Sequence, residues 1–142
     1  MLNIPTIDFF MIHLISTSMM VSLIWLIQIL HYPSFIYVDR DQYESFQKFH
    51  MKKISFIVMP LMVTEFLTSA YILLFGNNEN EYLFTLSFIL LLVIWGLTIF
   101  IFSNIHQELS LGYNQRIIFS LIHLNWIRTI LWSLRLMMLV FC

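Results

Sequence analysis

Four apolar stretches, near residues 7–32, 54–75, 82–105 and 115–141, dominate this chain, and each reaches the roughly 20 residues that a helix needs to cross about 30 Å of hydrocarbon. Hydrocarbon offers no water to satisfy backbone N–H and C=O groups, so stretches of this length become helices that close their own hydrogen bonds. The expected fold is all-α: a polytopic membrane protein, a four-transmembrane-helix bundle forming a single domain over residues 1–142. Composition agrees, with 60% of residues hydrophobic and only 11% charged, against about 25% charged in soluble domains. The first stretch has no basic leader and no small-residue cleavage site, so it is expected to stay in the protein. Cys142 is the only cysteine, which excludes an intrachain disulfide and any cysteine-based metal cluster within the chain.

Basic residues between the spans set an expected orientation, because Lys and Arg are retained on the cytoplasmic side. Arg40, Lys48, Lys52 and Lys53 lie between the first and second spans, and Arg116 follows the third. Loops 33–53 and 106–114 are therefore expected in the cytoplasm, and both termini outward. The turn Gly76-Asn77-Asn78-Glu79-Asn80-Glu81 has acids and no bases, which suits the outer side. The net charge of −1 does not bear on nucleic acid, but no basic patch of the required kind exists, so nucleic acid is not an expected partner. Pro33 is expected to close the first helix. Residues 39–53 read as an amphipathic interfacial segment, with Tyr43, Phe46 and Phe49 at helical spacing and charges between them.

Helical phase, at 3.6 residues per turn, gathers the polar residues into stripes. The first span aligns His13, Ser16, Thr17, Met20, Ile24, Gln28 and His31. The second aligns Gln47, His50, Ile54, Val58, Leu61, Glu65, Thr68 and Ser69, and the fourth aligns Asn125, Arg128, Trp132 and Arg135. Polar side chains avoid lipid, so the three stripes are expected to face one another inside the bundle. Two intramembrane arginines are the most informative residues, since a charge at the bilayer centre costs roughly 2.5–3.5 kcal/mol on insertion scales. At about 1.5 Å per residue, Glu65 lies at a depth between Arg128 and Arg135. The expectation is an ion pair from Glu65 to one of them, with Asn125, Thr68 and His13 adding hydrogen bonds. The other arginine is left to stabilise an oxyanion in an apolar, aromatic-rich cavity. Pro60 breaks a backbone hydrogen bond in the second span and is expected to bend it.

His31, His50 and His106 end three helices at similar depth, an arrangement able to hold haem, although no ligand-spacing motif accompanies it. No other metal site is expected. Glu108 is expected to face water.

The run Asn125-Trp126-Ile127-Arg128-Thr129, with Asn104 near the end of the third span, resembles the small four-helix membrane proteins grouped with anthrone oxygenases. That resemblance implies cofactor-free oxidation of polycyclic phenols. His13, the Met59-Pro60 region and Asn125 are also similar in placement to small membrane protoporphyrinogen oxidases, which implies haem. The expected function is a membrane-embedded oxidoreductase acting on a flat lipophilic molecule. Arg128 and Asn125 would stabilise its oxyanion, Glu65 would position Arg128 or move a proton, and His13 would be the base. Arg135, Trp132 and Thr68 would line the substrate site, and His31, His50 and His106 would bind a cofactor. The alternatives are a non-catalytic membrane subunit or assembly factor, and a haem-binding protein of the protoporphyrinogen-oxidase kind. The expected partners are the lipid bilayer, a lipophilic small molecule, and a second copy or another membrane protein.

Overall fold

A computed structural model describes residues 9–76 and 81–141. The start of the first expected span, the acidic turn at 77–80 and Cys142 lie outside the described residues. Four helices are long and apolar enough to cross a membrane: α1 (Phe9–Tyr37), α2 (Arg40–Phe75), α3 (Glu81–Leu109) and α4 (Gln115–Val140). No strand occurs among the described residues, so the chain is an all-α four-helix membrane bundle.

The two fully described connections, 38–39 and 110–114, lie at one end of the bundle, hereafter the connection end. There the Arg40 guanidinium sits 5.0 Å from the centroid of the Tyr113 ring, and Tyr43 meets the same ring edge-on at 5.2 Å. Local chemistry starts the helices cleanly. The Asp39 carboxylate accepts from Asp41 N–H at 3.0 Å before α2. The Asn114 side chain accepts from the backbone N–H groups of Arg116 and Ile117, satisfying donors that the first turn of α4 leaves open. Gly112, with φ +146°, makes the turn before it in a conformation that side-chain-bearing residues rarely adopt.

The core has three layers. Phe35, Tyr43, Phe102, Leu109, Ile118 and Leu121 fill the connection end. Met20, Ile24, Met62, Ile94 and Trp132 fill the middle, and Ile72, Phe84 and Leu139 the far end. Tryptophan ties α1 to α4: Trp25 Nε1–H donates to Ser133 Oγ at 3.0 Å, and the Trp25 and Trp126 rings meet edge-on at 5.7 Å.

One expectation about a helix end is corrected. Pro33 does not close α1, because the chain passes through a π-helical turn at Ile27–His31 and remains helical to Tyr37. In a regular α-turn the proline ring would strike the carbonyl of Ile29, and the widened turn accommodates it. Residues 43–53 are continuous with the second span. A single helix runs from Tyr43 to Phe75, straight through Pro60, and Tyr43 and Phe46 pack into the core while Phe49 stays outside. A second π-helical turn, Leu97–Phe102, interrupts α3. Widened turns of this kind often occur at functional sites.

Candidate functional site

The polar stripes do face inward. His13, Ser16, Thr17, Gln28, Gln47, His50, Glu65, Thr68, Ser69, Asn125, Arg128 and Arg135 are all buried. They do not form one site, however, but two clusters at different depths.

The cluster nearer the far end is built on Glu65. Its Oε1 accepts from Arg135 Nη1–H at 2.7 Å, and its Oε2 accepts from Trp132 Nε1–H at 3.1 Å. Arg135 Nε–H donates in turn to the backbone carbonyl of Ser87 on α3, at 3.1 Å. The acid and the base are both fully buried, and each carboxylate oxygen has a donor. Pairing with this many hydrogen bonds is what makes two charges tolerable in a dry interior. The expected pair therefore forms, and Arg135 is the partner. Its supporting residues differ from expectation. His13 Nδ1 and Thr68 Oγ1 bond each other at 2.9 Å, and Thr68 donates to the Thr64 carbonyl at 2.7 Å. With the Thr68 proton spent there, His13 donates from Nδ1, which leaves its buried Nε2 as an acceptor without a partner. Asn125 serves neither charge: its Nδ2–H donates to Gln28 Oε1 at 2.9 Å, and Gln28 donates to the Ile122 carbonyl at 3.2 Å, locking α1 to α4.

The second cluster surrounds Arg128. Among the described residues no carboxylate pairs with this guanidinium, although the side chain is 5% exposed. Its charge rests on aromatic faces, 4.1 Å from the Phe102 centroid and 5.5 Å from a Trp132 ring, and Nε–H has no acceptor. Cation–π contact returns part of the desolvation cost of a buried cation, less than an anion would. The Tyr32 hydroxyl lies beside the guanidinium. It also bonds His106 Nε2 at 3.1 Å, and the other His106 nitrogen bonds Gln47 Nε2 at 2.9 Å. These groups border a cavity of about 160 Å³ that opens between α2 and α3, past Ser55, Met59, Thr98 and Ser103. Both π-helical turns reach it, α1 through Ile27 and α3 through Thr98 and Phe102.

Tyr32 and Gln47 are the side chains whose role at this site the sequence reading missed. A π-turn inserts an extra residue into the helical phase. It moves the inward position at the end of α1 from His31, half-buried, to Tyr32, fully buried. Pro33 was the available signal, since a proline inside an apolar helix forces a local irregularity. Gln47 stood on the second stripe without an assigned task.

The three histidines do come together. His31 Nε2 and His50 Nδ1 are 2.8 Å apart, and the His50 and His106 rings lie 5.5 Å apart. Both nitrogens of His106 are engaged, and Phe35 packs edge-on against His31 at 5.2 Å and His50 at 5.0 Å. Among the described residues no three of His, Cys, Asp or Glu are placed to hold a metal ion. Glu108, Arg116 and Asn104 are exposed, and Asn104 bonds the Phe100 carbonyl of its own helix at 2.8 Å. The chain matches no family model, no curated protein and no solved structure.

Proposed function

We propose that this protein is a membrane-embedded oxidoreductase of the oxygenase-like kind, which takes a flat lipophilic phenol or enol into the Arg128 cavity. One observation carries the reading: a buried arginine with no carboxylate partner among the described residues borders a cavity that opens between α2 and α3. A guanidinium in that position favours the deprotonated, oxyanionic form of an acidic hydroxyl far more than water does. Gln47 Nε2–H donates to His106 Nδ1, so His106 carries its proton on Nε2 and donates it to the Tyr32 oxygen, which leaves the Tyr32 O–H free to donate to the substrate oxyanion beside Arg128. A phenolate or enolate is the electron-rich form that dioxygen oxidises, so the residues contribute by holding that form out of water. His13 and Glu65 belong to the other cluster and have no part in this scheme. At about 160 Å³ the cavity is smaller than the roughly 300–1,000 Å³ of whole-ligand pockets. It therefore takes the ring that bears the oxygen, and the rest of a flat molecule lies in the gap between α2 and α3.

Fluorescence titration with a hydroxyanthracene in detergent tests the reading. Saturable binding by the unaltered protein, weakened at least tenfold in a well-folded Arg128→Met variant, supports it. Normal binding by that variant overturns it. If no acidic aromatic compound binds the unaltered protein, the reading passes to a non-catalytic subunit, for which the closed Glu65–Arg135 cluster is reason enough to exist.

The connection end is assigned to the cytoplasm, since Arg40, Lys48, Lys52, Lys53 and Arg116 all lie near it. In a Cys142→Ser background, Ser110→Cys in intact cells should resist an impermeant maleimide until the membrane is permeabilised. Labelling before that step reverses the orientation.

A further inference from the structure

On the face formed by α1 and α2, two adjoining hollows of about 290 and 460 Å³ share Leu23, Leu26 and Ile57 in their walls, and Ile27 and Ile54 stand between the smaller one and the Arg128 cavity. Together they form one groove. At the connection end it is bordered by His31, His50 and Lys53, and deeper in the bundle by Ser18, Met19 and Leu61. Its deep part is less polar than its residues suggest. Ser18 Oγ–H donates to the Leu14 carbonyl at 2.7 Å and Ser22 Oγ–H to the Ser18 carbonyl at 3.0 Å, so both hydroxyls are spent on their own helix. The shallow end is the opposite: it carries the Lys53 ammonium, 5.7 Å from the Phe49 ring centroid, and no acid borders it. Among the described residues Lys53 has no carboxylate partner, whereas Lys48, five residues earlier, is paired with Glu44.

We propose that this groove is a seat for one anionic phospholipid, with the phosphate at Lys53 and His31 and one acyl chain along Leu26, Ile57, Leu23 and Leu61. Length supports that occupant. Lys53 to Leu61 covers about 12 Å of α2 and His31 to Ser18 about 20 Å of α1, at roughly 1.5 Å per residue. Those distances bracket the depth of one leaflet, about half of a 30 Å hydrocarbon core. Charge supports it as well, since an unpaired ammonium at the polar end of an apolar groove complements a phosphodiester and gains nothing from a neutral tail. The proposed orientation places this end at the cytoplasmic leaflet, which is rich in anionic lipid. The lipid seat rests on that orientation only for its natural leaflet, and not on the oxidoreductase reading.

Native mass spectrometry of the detergent-purified full chain, with phosphatidylglycerol or phosphatidylcholine of identical acyl chains added, tests it. The expected result is one phosphatidylglycerol retained in preference to phosphatidylcholine. Lys53→Gln should lower that retention roughly fivefold, the effect of one basic residue against an anionic lipid, and Lys52→Gln should leave it unchanged. Ile57→Trp, which fills the groove wall without touching charge, should reduce retention of the seated lipid while the protein keeps its helical circular dichroism. Equal retention of the two lipids, or indifference to both Lys53→Gln and Ile57→Trp, overturns the proposal. A second copy of the chain as occupant would appear as a dimer that Ile57→Trp dissociates, and that outcome overturns it too.

Discussion

Two buried arginines, seven residues apart on α4, have opposite surroundings. Arg135 faces a carboxylate, and its Nε and Nη1 groups are bonded; Arg128 faces aromatic rings and a cavity. Helical phase places both on one face, so the difference lies in what the neighbouring helices present at each depth. A charge neutralised in place holds helices in register. A charge left without an anion in a cavity is available to a ligand, and keeping it that way costs stability unless a ligand repays it.

The comparison breaks most visibly at Glu65. Glu65→Gln leaves Arg135 buried without an anion, and losing one partner of a buried pair costs about 3–5 kcal/mol. Thermal unfolding in detergent should show a large loss of stability and yield, and an unchanged midpoint would remove the pair from the account of stability. The double variant Glu65→Leu/Arg135→Met should recover most of that loss, because two apolar groups replace two charges. Arg128→Met abandons no carboxylate, so the bundle should keep or raise its midpoint while the phenol titration loses a factor of ten or more, about 1.4 kcal/mol. Unfolding by Arg128→Met as severe as by Glu65→Gln would erase the distinction between the two arginines. Trp132→Phe keeps the ring near Arg128 and removes one donor from Glu65, a loss of about 0.6–1.7 kcal/mol for a hydrogen bond between membrane helices. The smallest effect belongs to Ser87→Ala. Arg135 uses the Ser87 backbone carbonyl, and the hydroxyl has no partner, so the change should stay within about ±0.5 kcal/mol. A larger loss would mean that the hydroxyl is bonded after all.

Much of this was legible one helix at a time. The stripe His13, Thr17, Met20, Ile24 and Gln28 is buried as its spacing required, and so is Asn125, Arg128, Trp132 and Arg135. Local irregularity set the limit at the end of α1, where a π-turn advances the phase and brings Tyr32 inward in place of His31. Span three was the least legible. Its contribution to the ion pair is a backbone carbonyl, and its contribution to Arg128 is the face of Phe102, neither of which stands out in an apolar run. Asn125 shows a different limit. Its depth and face were right, yet Gln28 across the interface claimed its amide.

The sequence by itself determined that the chain has four apolar segments long enough to cross a membrane as helices, and that a glutamate and an arginine meet inside, because hydrocarbon obliges such segments to close their own backbone hydrogen bonds and makes an unpaired charge costly. Tertiary structure alone decided that Arg135 takes Glu65, that Arg128 borders a cavity, and that Tyr32 and His106 border it too. Phase and depth are properties of one helix. Which groups touch depends on the rotation and height of each helix against its neighbours, and those are set by the packing of Trp132, Phe102, Phe35 and the side chains around them.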